Sequence, residues 1–74
     1  MSATFRMLGM LKSYIGGQDK IDVASGQTIR EAMVGINMPP EIAALVLVND
    51  EPQPKDYVLQ EGDFVKLIAV IGGG

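Results

Sequence analysis

One stretch of this sequence carries helical spacing, and that limits its architecture more than any other feature. Thr28-Ile29-Arg30-Glu31 has the pattern of a capping box, in which the Thr28 hydroxyl accepts from the Glu31 amide and the Glu31 carboxylate reaches back to the Thr28 amide. Behind it Ile29, Ala32, Met33 and Ile36 follow the i, i+3, i+4, i+7 spacing of a single apolar stripe. Gly35 and Asn37 weaken the last turn. Met38-Pro39-Pro40 ends it, because proline lacks the amide and disfavours helix in the residue before it. A lone helix with one apolar stripe needs a second layer, which the rest of the chain must supply as sheet.

The remaining segments read as strands. From Ala3 to Leu8, Phe5 and Met7 fall on one face and Thr4 and Arg6 on the other. Gly16-Gly17 marks a turn, and Lys20-Ile21-Asp22-Val23 alternates again with Ile21 and Val23 inward. These two strands form a hairpin whose linker, with Leu11, Tyr14 and Ile15, is longer than a minimal turn. Ile42 to Val48 is a near-continuous apolar run and reads as a buried strand. Asn49-Asp50-Glu51-Pro52 supplies a turn, and two prolines confine any strand around Gln53 to a sheet edge. After the turn Leu59 to Asp63 comes the last strand, Phe64 to Ile71, apolar at every position but Lys66, as expected in mid-sheet. The expectation is a two-layer α+β domain over residues 1–71, followed by a flexible Gly72-Gly73-Gly74 tail.

Composition narrows the function. A chain of 74 residues has room for one small core, and 47% hydrophobic content with a net charge of −3 fits a packed globule rather than disorder. Six Lys and Arg with two Phe and two Tyr give neither the basic footprint nor the stacking platform of a nucleic-acid binder. Without Cys there are no disulfides, iron–sulfur clusters or thiol nucleophiles, and without His the commonest general base and metal ligand are missing. Neither a self-contained active site nor a bound cofactor or metal is expected. The apolar stretch Met7 to Leu11 is too short for a signal peptide, and Ile42 to Val48 falls far below the ~20 residues that span a bilayer. The expectation is a soluble cytoplasmic protein, a monomer on its own, binding no nucleic acid and no membrane.

The order of elements and the chain's ending resemble the ubiquitin-like β-grasp sulfur carriers, the family of the small subunit of molybdopterin synthase (MoaD) and the thiamin thiazole sulfur carrier (ThiS). The resemblance rests on the strand from Phe5 with the following Leu11 to Gly17, the Gly26 to Glu31 helix entry and the Val46-Leu47-Val48-Asn49 strand end. Its most telling part is Val58 to Val65, with Gly62-Asp63, running into Val70-Ile71-Gly72-Gly73-Gly74. It implies a β-grasp fold with a mixed four- to five-stranded sheet on one helix. It also implies a non-catalytic carrier whose C-terminal carboxylate, at Gly74, is adenylated by an enzyme of the ubiquitin-activating type (MoeB/ThiF-like). The adenylate then becomes a thiocarboxylate that donates sulfur to an accepting synthase, in molybdopterin or thiamin thiazole biosynthesis. The family ends in two glycines after a different residue, and here Gly72 adds a third.

The candidate residues are weighed beside plainer roles. Gly72, Gly73 and Gly74 lack a Cβ, which would let a tail bend inside a narrow channel; a frayed terminus is the plain alternative. Capping accounts for Thr28 and Glu31, a turn for Asp63, and gap-filling for Met33 and Met38. If Val65, Leu67, Ala69 and Ile71 face the helix, then Phe64, Ile68 and Val70 point to the open face of the sheet and form a partner-binding patch. A ubiquitin-like modifier, joined to lysines through the same glycine end, shares every one of these features. A plain β-grasp interaction domain with an incidental tail is the third reading.

Overall fold

The computed structural model describes residues 1–69. Among the described residues, five strands and one α-helix occur in the order β1 (Ser2–Met7), β2 (Lys20–Ala24), α1 (Ile29–Gly35), β3 (Ala43–Val48), β4 (Glu51–Pro52) and β5 (Phe64–Ala69). They form a five-stranded mixed sheet in the order β2-β1-β5-β3-β4. β1 runs antiparallel to β2 and parallel to β5, while β3 is antiparallel to both β5 and β4. The last strand in sequence is thus the middle strand in space, and the two-residue β4, holding Pro52, lies at an edge.

Local chemistry explains the elements. The Thr28 hydroxyl accepts from the Glu31 amide at 3.1 Å and the Glu31 carboxylate accepts from the Thr28 amide at 2.8 Å, closing the capping box. Asn37, at φ 62, takes the left-handed conformation just past the helix, where the chain turns toward Pro39 and Pro40. The linker between β1 and β2 is not open loop: Gly9–Ile15 forms 3-10 turns, closed where the Gly17 amide donates to the Lys12 carbonyl at 2.9 Å. Gly16 and Gly17 both hold positive φ there, so glycine is required. At the β3–β4 reversal Asn49 and Asp50 have φ 51 and 72, the paired left-handed geometry of a two-residue hairpin turn.

The core lies between one face of the sheet and α1. Phe5 and Met7 of β1 and Val65 and Leu67 of the middle strand β5 pack with Ile29, Ala32 and Met33 of the helix, closed over by Leu11, Met38 and Leu59. Ile21 and Ile36 pack at the margin, half-buried.

The run Ile42 to Val48 differs from its sequence reading. Ile42 ends a 3-10 turn over Pro40–Ile42, and the strand begins at Ala43. Ala44 and Leu45 are exposed and Leu47 is half-buried, so this is not a strand buried on both faces. The register against β5 slips between Ala43 and Leu45, which puts Ala43, Val46 and Val48 on the core side despite their uneven spacing. At the C-terminal end the expected strand to Ile71 is described as far as Ala69; Val70 and Ile71 lie outside the described residues.

Candidate docking face and carrier terminus

One helix covers one face of the sheet, and the side chains of the other face are set by strand alternation. On β5 the core side takes Val65, Leu67 and Ala69, leaving Phe64, Lys66 and Ile68 half-buried on the open side. Phe64 and Ile68 therefore occupy the face expected of them, though neither is fully exposed. Val70, the third residue of that patch, and Gly72, Gly73 and Gly74 lie outside the described residues.

The ladder registers arrange the open face in rows across the strands. Asp22, Thr4 and Phe64 share one row, with the Thr4 hydroxyl donating to the Asp22 carboxylate at 3.0 Å. The next row holds Lys20, Arg6, Lys66 and Leu47. Beyond it Ile68 pairs with Leu45, which is 42% exposed. Leu45, Leu47, Arg6 and Lys20 were not picked out from the sequence. Each belongs to the outward half of an alternating segment, but their proximity depends on registers between strands up to sixty residues apart in the chain.

The loop entering β5 is fixed by a buried carboxylate. Asp63 is 7% exposed and accepts from the Gln60 amide at 2.9 Å, the Tyr57 hydroxyl at 2.9 Å and the Asn49 side-chain amide at 3.0 Å. The Asn49 side-chain oxygen in turn accepts from the Phe64 amide at 3.0 Å, so the β3–β4 turn and the start of β5 are tied together. Burial pushes the Asp63 carboxyl up, but the donors from Gln60, Tyr57 and Asn49 outweigh it and hold it below the usual carboxylate range. The same carboxylate, accepting the Tyr57 hydrogen bond, raises the Tyr57 phenol. Asp63 is thus a turn residue, as its sequence context indicates, and the hub of a network that the sequence does not reveal. With all its oxygens engaged by structural donors, it offers no free base.

Ion pairs elsewhere are superficial. Lys12 meets Asp19 at 3.0 Å, a hydrogen bond that lowers the Asp19 carboxyl, and Lys66 meets Asp50 at 3.0 Å. Among the described residues no helix is long and apolar enough to cross a membrane.

Solved structures share this architecture over essentially the whole chain. SAMP1 of Haloferax volcanii superposes with a TM-score of 0.69 at 20% identity, covering 100% of both chains. Urm1 of Trypanosoma brucei gives 0.69 at 22% identity over 99% of this chain and 95% of its own. A chain of the complex of molybdopterin-converting factor subunits 1 and 2 from Helicobacter pylori gives 0.64 at 16% identity and full coverage of both. At these identities the likeness establishes the fold, a ubiquitin-like β-grasp. No curated protein matches the sequence at a significant level. The ThiS family profile, however, matches residues 6–74, nearly the entire chain and the terminal glycines with it. The chain therefore belongs to the ThiS family.

Proposed function

We propose that the protein is a sulfur carrier, itself non-catalytic, whose Gly74 carboxylate is activated and converted to a thiocarboxylate. The observation that carries this reading is the extent of the family match, which runs through the β-grasp core to the last glycine. A carboxylate is a poor acyl donor because its oxygen leaves badly. In the proposed sequence a Gly74 oxygen attacks the α-phosphorus of ATP on a MoeB/ThiF-like enzyme, and pyrophosphate departs. A sulfur nucleophile at the oxidation level of hydrosulfide then attacks the acyl carbon, the C–O bond to AMP breaks, and the thiocarboxylate and a proton result. The sulfur is passed to a synthase in molybdopterin or thiazole formation. The subunit 1–subunit 2 complex of the Helicobacter pylori protein supports a stable partner for a chain of this shape. Phe64, Ile68 and Val70 are the proposed contact residues on this chain.

The test is incubation with the organism's own adenylating enzyme, ATP and a sulfur source, followed by intact-mass analysis. The full chain is expected to gain the mass of one oxygen-to-sulfur exchange at its C-terminus. Deleting Gly74, or appending a residue after it, is expected to abolish that gain while leaving the circular dichroism spectrum unchanged. Absence of the exchange in the full chain overturns the carrier reading. Higher-mass lysine conjugates in cell extract would instead identify a ubiquitin-like modifier, which uses the same carboxylate.

A further inference from the structure

The two edges of the sheet are protected unequally. β4 is two residues long and ends in Pro52, which has no amide to offer a further strand. β2, at the opposite edge, has five residues, no proline and an unbroken register against β1. The direction of its backbone groups follows from that register. The Met7 amide donates to the Asp19 carbonyl at 2.8 Å and the Ser25 amide to the Met1 carbonyl at 3.3 Å, so the odd positions of β2 exchange hydrogen bonds with β1. The Thr4 amide turns the other way, to the Asp63 carbonyl at 2.9 Å, because the even positions of β1 serve β5. Lys20 and Asp22 therefore aim their amides and carbonyls out of the sheet, where no strand pairs with them among the described residues.

The side chains along this edge are complementary to a second copy of themselves. Ile21 lies on the core side, opposite Phe5, and is half-buried at the margin of the core. Lys20 and Asp22 flank it on the open side, both exposed. Among the described residues, no ion pair holds either of them. When a second β2 is set antiparallel to the first with Ile21 opposite Ile21, Lys20 of each copy stands opposite Asp22 of the other, and their outward amides and carbonyls meet as hydrogen-bonded pairs. Ile21 and its counterpart form the non-hydrogen-bonded pair between them, where side chains approach most closely and each covers the exposed flank of the other. Centring the pair on Lys20 or on Asp22 instead sets like charges against each other. Lysines alone at an edge repel a second copy; here the two signs alternate across Ile21.

We infer that β2 pairs with β2 of a second copy of this chain, joining two five-stranded sheets about a two-fold axis at Ile21. The symmetry closes the assembly at a dimer, since both β2 edges are consumed and the edges left are the short β4 strands with Pro52. β1 separates β5 from the joined edge, so the inference stands independently of the carrier reading. One short ladder buries little area, and the dimer is expected to dissociate on dilution.

Charge reversal tests the register. Lys20→Glu sets carboxylate against carboxylate at both ends of the pair, and Asp22→Lys sets amine against amine. Each variant alone is expected to sediment as a monomer at millimolar chain concentration, where wild type sediments as a dimer. An equimolar mixture of the two variants is expected to associate as wild type does: the new carboxylate meets the new amine, and the native Asp22 of one chain meets the native Lys20 of the other. That recovery also shows that neither variant has unfolded. In wild type, hydrogen exchange at the Lys20 and Asp22 amides is expected to slow as concentration rises, while the Ile21 and Val23 amides, bonded to β1, stay protected throughout. A wild-type chain that remains monomeric at millimolar concentration overturns the inference, as does a mixture no more associated than its components. Variants that still dimerise alone would place the contact on another face and refute the β2 pairing.

Discussion

Asp63 concentrates more of the domain's order than any other side chain described. It takes donors from Gln60, Tyr57 and Asn49, and through Asn49 it fixes the first amide of β5. Asp63→Ala removes the buried acceptor that the half-buried Tyr57 and the exposed Gln60 and Asn49 share, and urea unfolding is expected to show a loss of about 1–3 kcal/mol. The carboxyl is depressed in the folded state relative to an unfolded value of about 3.9, so the unfolded chain binds the proton more readily. The stabilisation is therefore complete above the unfolded value and is lost as pH falls through the folded one. Unfolding curves measured from neutral pH down into that acid range should show a steeper fall for wild type than for Asp63→Asn. Equal slopes would mean that the network does not govern the acid limb. From the sequence this residue is legible as a turn aspartate after Gly62; its partners at positions 49 and 57 are not, since nothing local couples them.

At the level of elements, the helix could be read from its capping box and stripe because both depend on neighbours within four residues. β1 and β2 were legible for the same reason, their alternation being a local pattern. β3 was legible as a strand but not in its facing: with seven apolar residues from Ile42 to Val48, composition hides which half faces out, and the slip between Ala43 and Leu45 shifts the inward set. β5 is apolar on both faces, and here the two faces carry opposed expectations. Leu67→Ala, at a fully buried position, is expected to cost about 2–5 kcal/mol through lost burial and a cavity. Ile68→Asp, half-buried on the other face, is expected to cost less than half as much and, on the proposed function, to weaken binding of the proposed adenylating partner. Paired measurement of Tm and affinity checks both. Equal thermal losses, or an Ile68→Asp protein bound as tightly as wild type, would remove Ile68 from the docking face.

For the molecule as a whole, the decisive pairing is β1 with β5, which joins Thr4 to Phe64 and Met7 to Leu67. No local segment can form it, so the sheet is complete only when the last strand is in place. A chain truncated after Gly62 is expected to show the circular dichroism of an unfolded polypeptide, and a native-like spectrum would refute this dependence. The same topology explains why the cationic row was hidden in the sequence: Arg6, Lys20 and Lys66 become neighbours only through the two ladders of β1. The central place of β5 also has a mechanical consequence. Any tension on the chain beyond Ala69 enters the domain along a strand bonded on both sides, to β1 and to β3. Such a load is shared in shear by two ladders at once instead of peeling one edge bond by bond. A partner gripping the far end would therefore be pulling on a strand anchored along both of its edges.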